Sequence, residues 1–103
     1  MKTLLFFDRF EHDIKSASKT ITLRDLAESD YHPGELVQLV ALESQTNWGQ
    51  ANIKANTQVH FDELTQSHAQ QENMTLAELK KLIVEIYPNE RQYYCIEFEY
   101  LGD

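Results

Sequence analysis

Residues 51–61 alternate between two kinds of side chain along their whole length. One set is apolar or β-branched and comprises Ala51, Ile53, Ala55, Thr57, Val59 and Phe61; the other is polar and comprises Asn52, Lys54, Asn56, Gln58 and His60. Because successive side chains of a β-strand point to opposite faces, this pattern predicts a long strand with one face on a core and the other in water. A strand with one buried and one solvent-exposed face is typical of an antiparallel sheet. The Asn-Trp-Gly sequence at 47–49 predicts the turn that leads into it.

Further strands and helices are predicted on both sides of this strand. The other strands cover residues 1–7, 19–24, 35–43 and 92–101, and the helices cover residues 9–17, 62–68 and 76–87. The segment 35–43 has apolar residues at both odd and even positions, which predicts a strand covered on both faces. Capping-box spacing predicts helix starts at Asp8 with Glu11 and at Thr75 with Glu78. The buried stripe of the last helix is predicted to comprise Leu76, Leu79, Leu82, Ile83 and Ile86.

The order of these elements predicts the fold class. A strand and a helix are followed by three strands, two helices and a final strand, with no βαβ repeat that would require a parallel sheet. We therefore expect an α+β fold: a small, largely antiparallel β-barrel of about five strands, flanked by helices. With 103 residues, 42% of them hydrophobic, the chain suffices for one core, so residues 1–103 are predicted to form a single domain.

The charge and the N-terminal sequence restrict the possible partners. The net charge is -8, which disfavours tight non-specific binding to nucleic acid. The apolar N-terminal run stops at residues 8–9 without a small-residue cleavage site, and no segment has the roughly 20 apolar residues of a membrane span. The single cysteine, Cys95, cannot form an internal disulfide and lies in an apolar run, which favours a buried structural thiol. We expect a soluble, cytoplasmic monomer.

Metal and cofactor motifs are missing from the sequence. The histidines at 12, 32, 60 and 68 are scattered, and only His68 and Glu72 have the spacing to share a helical face. The chain has no Cys-x-x-Cys, His-Glu-x-x-His or Gly-x-Ser-x-Gly pattern, and three glycines do not make a phosphate-binding loop. The prediction is therefore no metal site and no cofactor.

The segment 19–24 combines an amine, two hydroxyls and a guanidinium in one short β-prone run. Strand alternation places Thr20, Thr22 and Arg24 on one face and the apolar residues between them on the core face. Such a run is either a nucleophile with its base or an ordinary strand with a polar face, and residue types alone do not decide between them. Glu72, in the short link between two predicted helices, is the best candidate acid; it is otherwise one more solvated carboxylate.

Two motifs carry a resemblance to a known family. Residues 19–25 (KTITLRD) and 68–76 (HAQQENMTL) resemble the ASCH domains, and among them the small bacterial N(4)-acetylcytidine amidohydrolases. The resemblance runs over nearly the whole chain, and it implies a PUA-like β-barrel. It also implies hydrolysis of N(4)-acetylcytidine, a small nucleoside, to cytidine and acetate. The chain departs from the family at residues 16–18 (SAS), where ASCH domains often carry a glycine just before the lysine.

The resemblance implies a role for each candidate residue. The family's catalytic lysine, threonine and glutamate fall on Lys19 as proton acceptor, Thr22 as nucleophile and Glu72 as proton donor. Arg24 shares the face of Thr22 and is a candidate contact for the substrate or its oxyanion, although pairing with Asp25 or another acid is favoured at least as much. Residues three apart face oppositely in a regular strand, so Lys19 is expected before the strand or at a bulge. Its pKa must also fall, because an ordinary lysine is almost entirely charged at pH 7.

Two other functions are compatible with the sequence. PUA-like barrels are associated with RNA recognition, so a non-catalytic module that binds RNA or a modified nucleobase is the main alternative. Such a module is expected to carry a stripe of Lys and Arg around its cleft. A protein-interaction domain that uses the acidic surface is a third possibility. Trp48 and Tyr31 are the candidate base-stacking aromatics.

Overall fold

The computed structural model describes residues 1–102, which form one curled five-stranded sheet with three α-helices packed around it. In chain order the elements are β1 Lys2–Phe6, α1 Glu11–Lys15, β2 Ile21–Arg24, β3 Leu36–Ala41, β4 Asn47–His60, α2 Gln66–Gln71, α3 Leu76–Ile86 and β5 Gln92–Gly102. Single 3₁₀ turns cover Asp8–Phe10, Leu26–Glu28 and Phe61–Glu63. The predicted α+β class and the five strands are confirmed.

The sheet is mixed, with strand order β1-β3-β4-β5-β2. Three pairings are antiparallel, but β1 and β3 pair in parallel, with Leu4 opposite Leu39. The sequence order hides this parallel pair, because the chain between β1 and β3 adds β2 to the far edge of the sheet. The sheet curls into a half-barrel and brings its two edge strands together, where the Arg24 guanidinium on β2 donates to the Leu5 carbonyl on β1.

Two apolar clusters divide the interior of the protein. The first fills the curl of the sheet and contains Leu4, Phe6, Ile14, Val37, Leu39, Ala41, Trp48, Ala51, Ile53, Ile96 and Phe98. The second lies under the last two helices and contains Leu23, Val59, Leu64, Ala69, Leu79, Ile83 and Tyr93. The strands β4 and β5 are long enough to contribute to both clusters, which explains why Tyr93 and Ile96 are both buried although they have opposite parity.

The long strand is present, but it starts earlier than predicted. Residues 42–46 make the turn, closed by the Ala41 amide donating to the Thr46 carbonyl at 2.8 Å, and β4 begins at Asn47. Trp48 lies in this strand and is 1% exposed, packed in the first cluster. The alternation is broken by a register shift between Ile53 and Ala55. Beyond this shift Ala55 is only partly buried and Thr57 is exposed, and burial of the apolar set resumes at Val59.

Strand β3 is covered on one face only, so the prediction of two covered faces is wrong. Val37, Leu39 and Ala41 are fully buried, whereas Leu36 and the following Leu42 are 41% and 43% exposed. The physical reason is the placement of α2 and α3, which pack over the second cluster and leave the outer side of β3 uncovered. Strand β3 is an interior strand of the sheet, between β1 and β4, but its apolar residues at both odd and even positions did not indicate two covered faces.

The helix starts were predicted with mixed success. The Thr75 and Glu78 capping box is confirmed by reciprocal bonds of 3.1 and 2.9 Å, and α3 ends before Pro88. Asp8 caps no helix; its carboxylate instead accepts the amides of residues 43 and 44 in the β3–β4 turn. The predicted helix 62–68 is split into a 3₁₀ turn and α2. Within residues 1–102, no helix has the length and apolar character needed to span a membrane.

Candidate active site

A cavity of about 310 Å³ lies between β2, α3 and the N-terminal residues 5–10. Its wall is mostly apolar and includes the aromatic rings of Phe6, Phe7, Phe10 and Tyr87. Within residues 1–102, the buried polar or charged side chains are Lys19, Thr22, Arg24 and Glu72, exposed by 4, 5, 9 and 4%. All four of them line this one cavity. Burying such groups is costly, and here the cost is concentrated at a single site.

Lys19 reaches the cavity because the chain turns sharply between α1 and β2. After α1, Ala17 adopts a left-handed conformation with φ 63°, and the amides of Ser18 and Lys19 both donate to the Asp13 carbonyl at 2.9 Å. Strand β2 starts only at Ile21. Lys19 therefore precedes the strand. The alternation of side chains in a regular strand does not apply to it, so Lys19 and Thr22 can reach the same cavity.

Thr22 and Arg24 point to the same side of β2, as strand alternation predicts. The Arg24 Nε donates to the Thr22 Oγ1 at 3.0 Å, and its Nη1 donates to Glu28 at 3.3 Å. The Thr22 hydroxyl thus accepts a hydrogen bond from a cation and keeps its own proton for another acceptor. Since three of the Arg24 donors are occupied by protein groups, the guanidinium is held in one orientation.

Glu72 is the C-cap residue of α2 and the first residue of the turn that follows this helix. Its side chain meets Lys19, whose Nζ donates to the Glu72 Oε1, so the two predicted motifs join in one buried ion pair. The backbone supports this contact, because the Thr20 amide beside Lys19 donates to the Gln71 carbonyl beside Glu72 at 2.7 Å.

The surroundings of Lys19 favour its neutral form. Burial and, after it, the Arg24 charge together lower the pKa of Lys19 from 10.5 to about 7, against the opposing charge of Asp13. An ionised Glu72 in contact with the amine also opposes them. The rings of Phe6 and Phe10 lie 5.8 and 4.8 Å from Nζ. An amine with a pKa near 7 is available as a base at neutral pH, which an ordinary lysine is not.

Several cavity residues were missed by the sequence interpretation. Leu82 and Ile86 were predicted as core, but they line the cavity, and Ile86 is 40% exposed. A helical stripe does not reveal whether it faces another side chain or an empty space. The candidate stacking aromatics lie elsewhere: Trp48 is in the first cluster, and the Tyr31 hydroxyl donates to the Thr3 carbonyl at 2.8 Å.

The alternative chemistries find no support in the described residues. Within 1–102 there is no group of three or more His, Cys, Asp or Glu side chains that could hold a metal ion. His68 instead bonds to Thr65 at the start of α2. Burial raises the pKa of the partly buried Cys95 to about 11, so this thiol stays protonated and is a poor nucleophile at neutral pH.

Comparison with solved structures identifies the fold. The chain superposes on an ASCH domain from Lactobacillus crispatus with a TM-score of 0.79 and 8% identity, covering 99% of this chain and 81% of the other. For ASCH from Zymomonas mobilis the TM-score is 0.75 with 12% identity, covering 94% and 65%. The protein has the fold of the ASCH domains.

Sequence comparison identifies the family within that fold. The chain is 45% identical over 98 residues to the N(4)-acetylcytidine amidohydrolase of Klebsiella pneumoniae, and equally to that of Escherichia fergusonii, covering 95% of each chain in both cases. It therefore belongs to the N(4)-acetylcytidine amidohydrolase family. No protein-family model matches the chain.

Proposed function

We propose that this protein hydrolyses the amide of N(4)-acetylcytidine to give cytidine and acetate. The observation that carries the proposal is the buried Lys19–Glu72 pair in the same cavity as Thr22. A nucleophile, a base and an acid are the three groups that amide cleavage by acyl transfer requires. The relatives at 45% identity carry this substrate in their names.

The Lys19–Glu72 pair has one transferable proton and two possible arrangements. In one, an ammonium faces a carboxylate; in the other, a neutral amine faces a carboxylic acid. Burial penalises charged forms, so it raises the share of the neutral arrangement compared with the same pair in water. The neutral arrangement is the reactive one, because Lys19 is then a base and Glu72 an acid.

The first half of the reaction transfers the acetyl group to Thr22. Its Oγ1 attacks the acetyl carbonyl carbon while the hydroxyl proton passes to the Lys19 amine. As the carbon–nitrogen bond breaks, Glu72 gives its proton to the exocyclic nitrogen of cytosine. Cytidine leaves, and the enzyme holds an acetyl ester on Thr22, an ammonium on Lys19 and a carboxylate on Glu72.

The second half restores the enzyme with one water molecule. Glu72 takes a proton from the water as its oxygen attacks the ester, and Lys19 returns a proton to the Thr22 oxygen as the ester bond breaks. Acetic acid leaves and ionises in solution. The amine and the carboxylic acid are thereby regenerated. Arg24 is a candidate contact for the substrate, because it already donates to the Thr22 Oγ1.

The remaining features of the proposal follow from the cavity and the charge. A small nucleoside is the proposed substrate, and the rings of Phe6, Phe7 and Phe10 offer apolar surface for its base. The proposed form is a cytoplasmic monomer without a cofactor. With a net charge of -8, tight non-specific binding of long RNA is not part of the proposal.

The test is cytidine release from N(4)-acetylcytidine. Thr22→Val, Lys19→Met and Glu72→Gln are each expected to lower kcat by about a thousandfold or more. Thr20→Val is the matched control, since Thr20 has the same side chain two residues away and does not line this cavity; it should keep wild-type activity. Denaturing mass spectrometry of the reacting wild-type protein should detect one acetyl group on the peptide that contains Thr22.

Two results would contradict the proposal in different ways. Full turnover in Thr22→Val would remove Thr22 as the nucleophile. Binding of N(4)-acetylcytidine or RNA by a wild-type protein that releases no acetate would instead support a binding module.

A further inference from the structure

The turn that delivers Lys19 is a Schellman motif at the end of α1. The Ser18 amide donates to the Asp13 carbonyl at 2.9 Å, and the Ala17 amide donates to the Ile14 carbonyl at 3.1 Å. Ala17 supplies the left-handed residue that this motif needs. The direction of the chain into Lys19 is therefore fixed by the backbone of α1.

The turn that delivers Glu72 is a second Schellman motif, at the end of α2. The Met74 amide donates to the Ala69 carbonyl at 2.9 Å, the Asn73 amide donates to the Gln70 carbonyl at 3.0 Å, and Asn73 is left-handed with φ 59°. Lys19 and Glu72 are thus each placed by a Schellman motif, at two helix ends that are distant in sequence.

One side-chain bond joins these two helix ends directly. The Asn73 Nδ2 donates to the Asp13 Oδ1 at 3.1 Å. Asp13 is the residue whose carbonyl holds the Lys19 amide, and Asn73 directly follows Glu72. We propose that Asp13 and Asn73 are positioning residues, whose bond holds the two helix ends at the separation at which Lys19 and Glu72 meet; this rests on the proposed function.

The location of this bond argues against a purely structural role. Asn73 is exposed, Asp13 is only partly buried, and neither lines the cavity. A polar bond at such a surface contributes little to folding. In contrast, a small displacement of a reacting group is expensive in rate, because a misplacement of about 1 Å can cost a hundredfold.

Asp13 also acts on Lys19 through its charge. The charged and titratable groups around the Lys19 amine are Glu72 at the end of α2, Arg24 on β2, Asp13 on α1 and Cys95 on β5. Asp13 raises the pKa of Lys19, against burial and Arg24. Replacing Asp13 by a neutral isostere should therefore lower the pKa of Lys19 and extend activity to lower pH.

Two variants separate the bond from the charge. Asn73→Gly removes the side-chain amide, and glycine readily adopts the left-handed conformation of this position. Asp13→Asn keeps a side-chain oxygen as acceptor but removes the charge. We expect Asn73→Gly to lower kcat about tenfold with little change in KM or Tm. Asp13→Asn should keep kcat within about threefold and move the acid limb of the kcat/KM profile to lower pH.

The matched controls make the same chemical changes away from the Asp13–Asn73 bond. Gln45→Gly replaces another left-handed residue, with φ 61°, in the β3–β4 turn. Glu11→Gln neutralises a carboxylate on α1 that pairs with Lys15. Both controls should keep the wild-type kcat and pH profile. Wild-type kcat in Asn73→Gly, or an equal loss of kcat in Gln45→Gly, would overturn the positioning role.

A titration without substrate distinguishes this inference from the proposed function. NMR of protein with 13Cε-labelled lysine should show a lower Lys19 titration midpoint in Asp13→Asn and an altered Lys19 resonance in Asn73→Gly. If the wild type releases no cytidine, the proposed function fails. The titration still tests whether the Asp13–Asn73 bond positions Lys19. Lys19 signals identical to wild type in both variants would overturn the positioning role, whatever the substrate.

Discussion

Replacing Ala17 by glycine should stabilise this protein, although the substitution shortens a side chain. Ala17 has φ 63°, where an L-residue is disfavoured by roughly 1–2 kcal/mol. Glycine avoids that cost but loses about 0.5–1 kcal/mol more in backbone entropy on folding. The side chain is exposed, so no core contact is lost. The net expectation is a gain of about 0.5–1 kcal/mol, or a Tm higher by about 3–6 °C for a domain of this size.

The assay is urea unfolding followed by the fluorescence of the single tryptophan, the buried Trp48. Ala77→Gly is the control, because Ala77 is also exposed but lies in the first turn of α3, where glycine should destabilise by about 0.5–1 kcal/mol. The same chemical change thus has opposite signs at the two positions. Destabilisation by Ala17→Gly equal to that by Ala77→Gly would refute the argument from the left-handed backbone.

The buried site and the core give two further predictions. In the folded protein the Lys19–Glu72 pair loses its one shared proton above about pH 7, whereas the unfolded chain keeps the Lys19 proton up to about 10.5, so stability should rise with pH between these values. Urea unfolding at pH 7 and 9 should show a rise of about 2 kcal/mol in the wild type and a smaller one in Lys19→Met; equal rises would exclude Lys19 as the source. Trp48→Phe should lower stability by about 1–2 kcal/mol and leave KM for N(4)-acetylcytidine unchanged. If Trp48→Phe raised the KM without lowering stability, Trp48 would again be a candidate for stacking on the substrate base.

The elements that the sequence predicted well are those set by local chemistry. The capping box at Thr75, the stop before Pro88 and the polar face of Thr22 and Arg24 each depend on residues a few positions apart. The parallel pairing of β1 with β3 and the one-sided cover of β3 were not predicted. Both depend on where distant segments pack, and periodicity carries no information about that.

The candidate site lies between these two cases. Residue types in 19–24 alone favoured an ordinary polar strand over a catalytic run, and Glu72 was one acid among 17. What joins them is the geometry of two helix ends, in which left-handed residues at 17 and 73 turn the chain. Alanine at the first of these positions gives no local signal, since glycine is the residue that sequence patterns associate with such a turn. The Lys19–Glu72 contact is therefore a tertiary property. The left-handed conformation of Ala17, two residues before Lys19, is the source of the strain that Ala17→Gly would release.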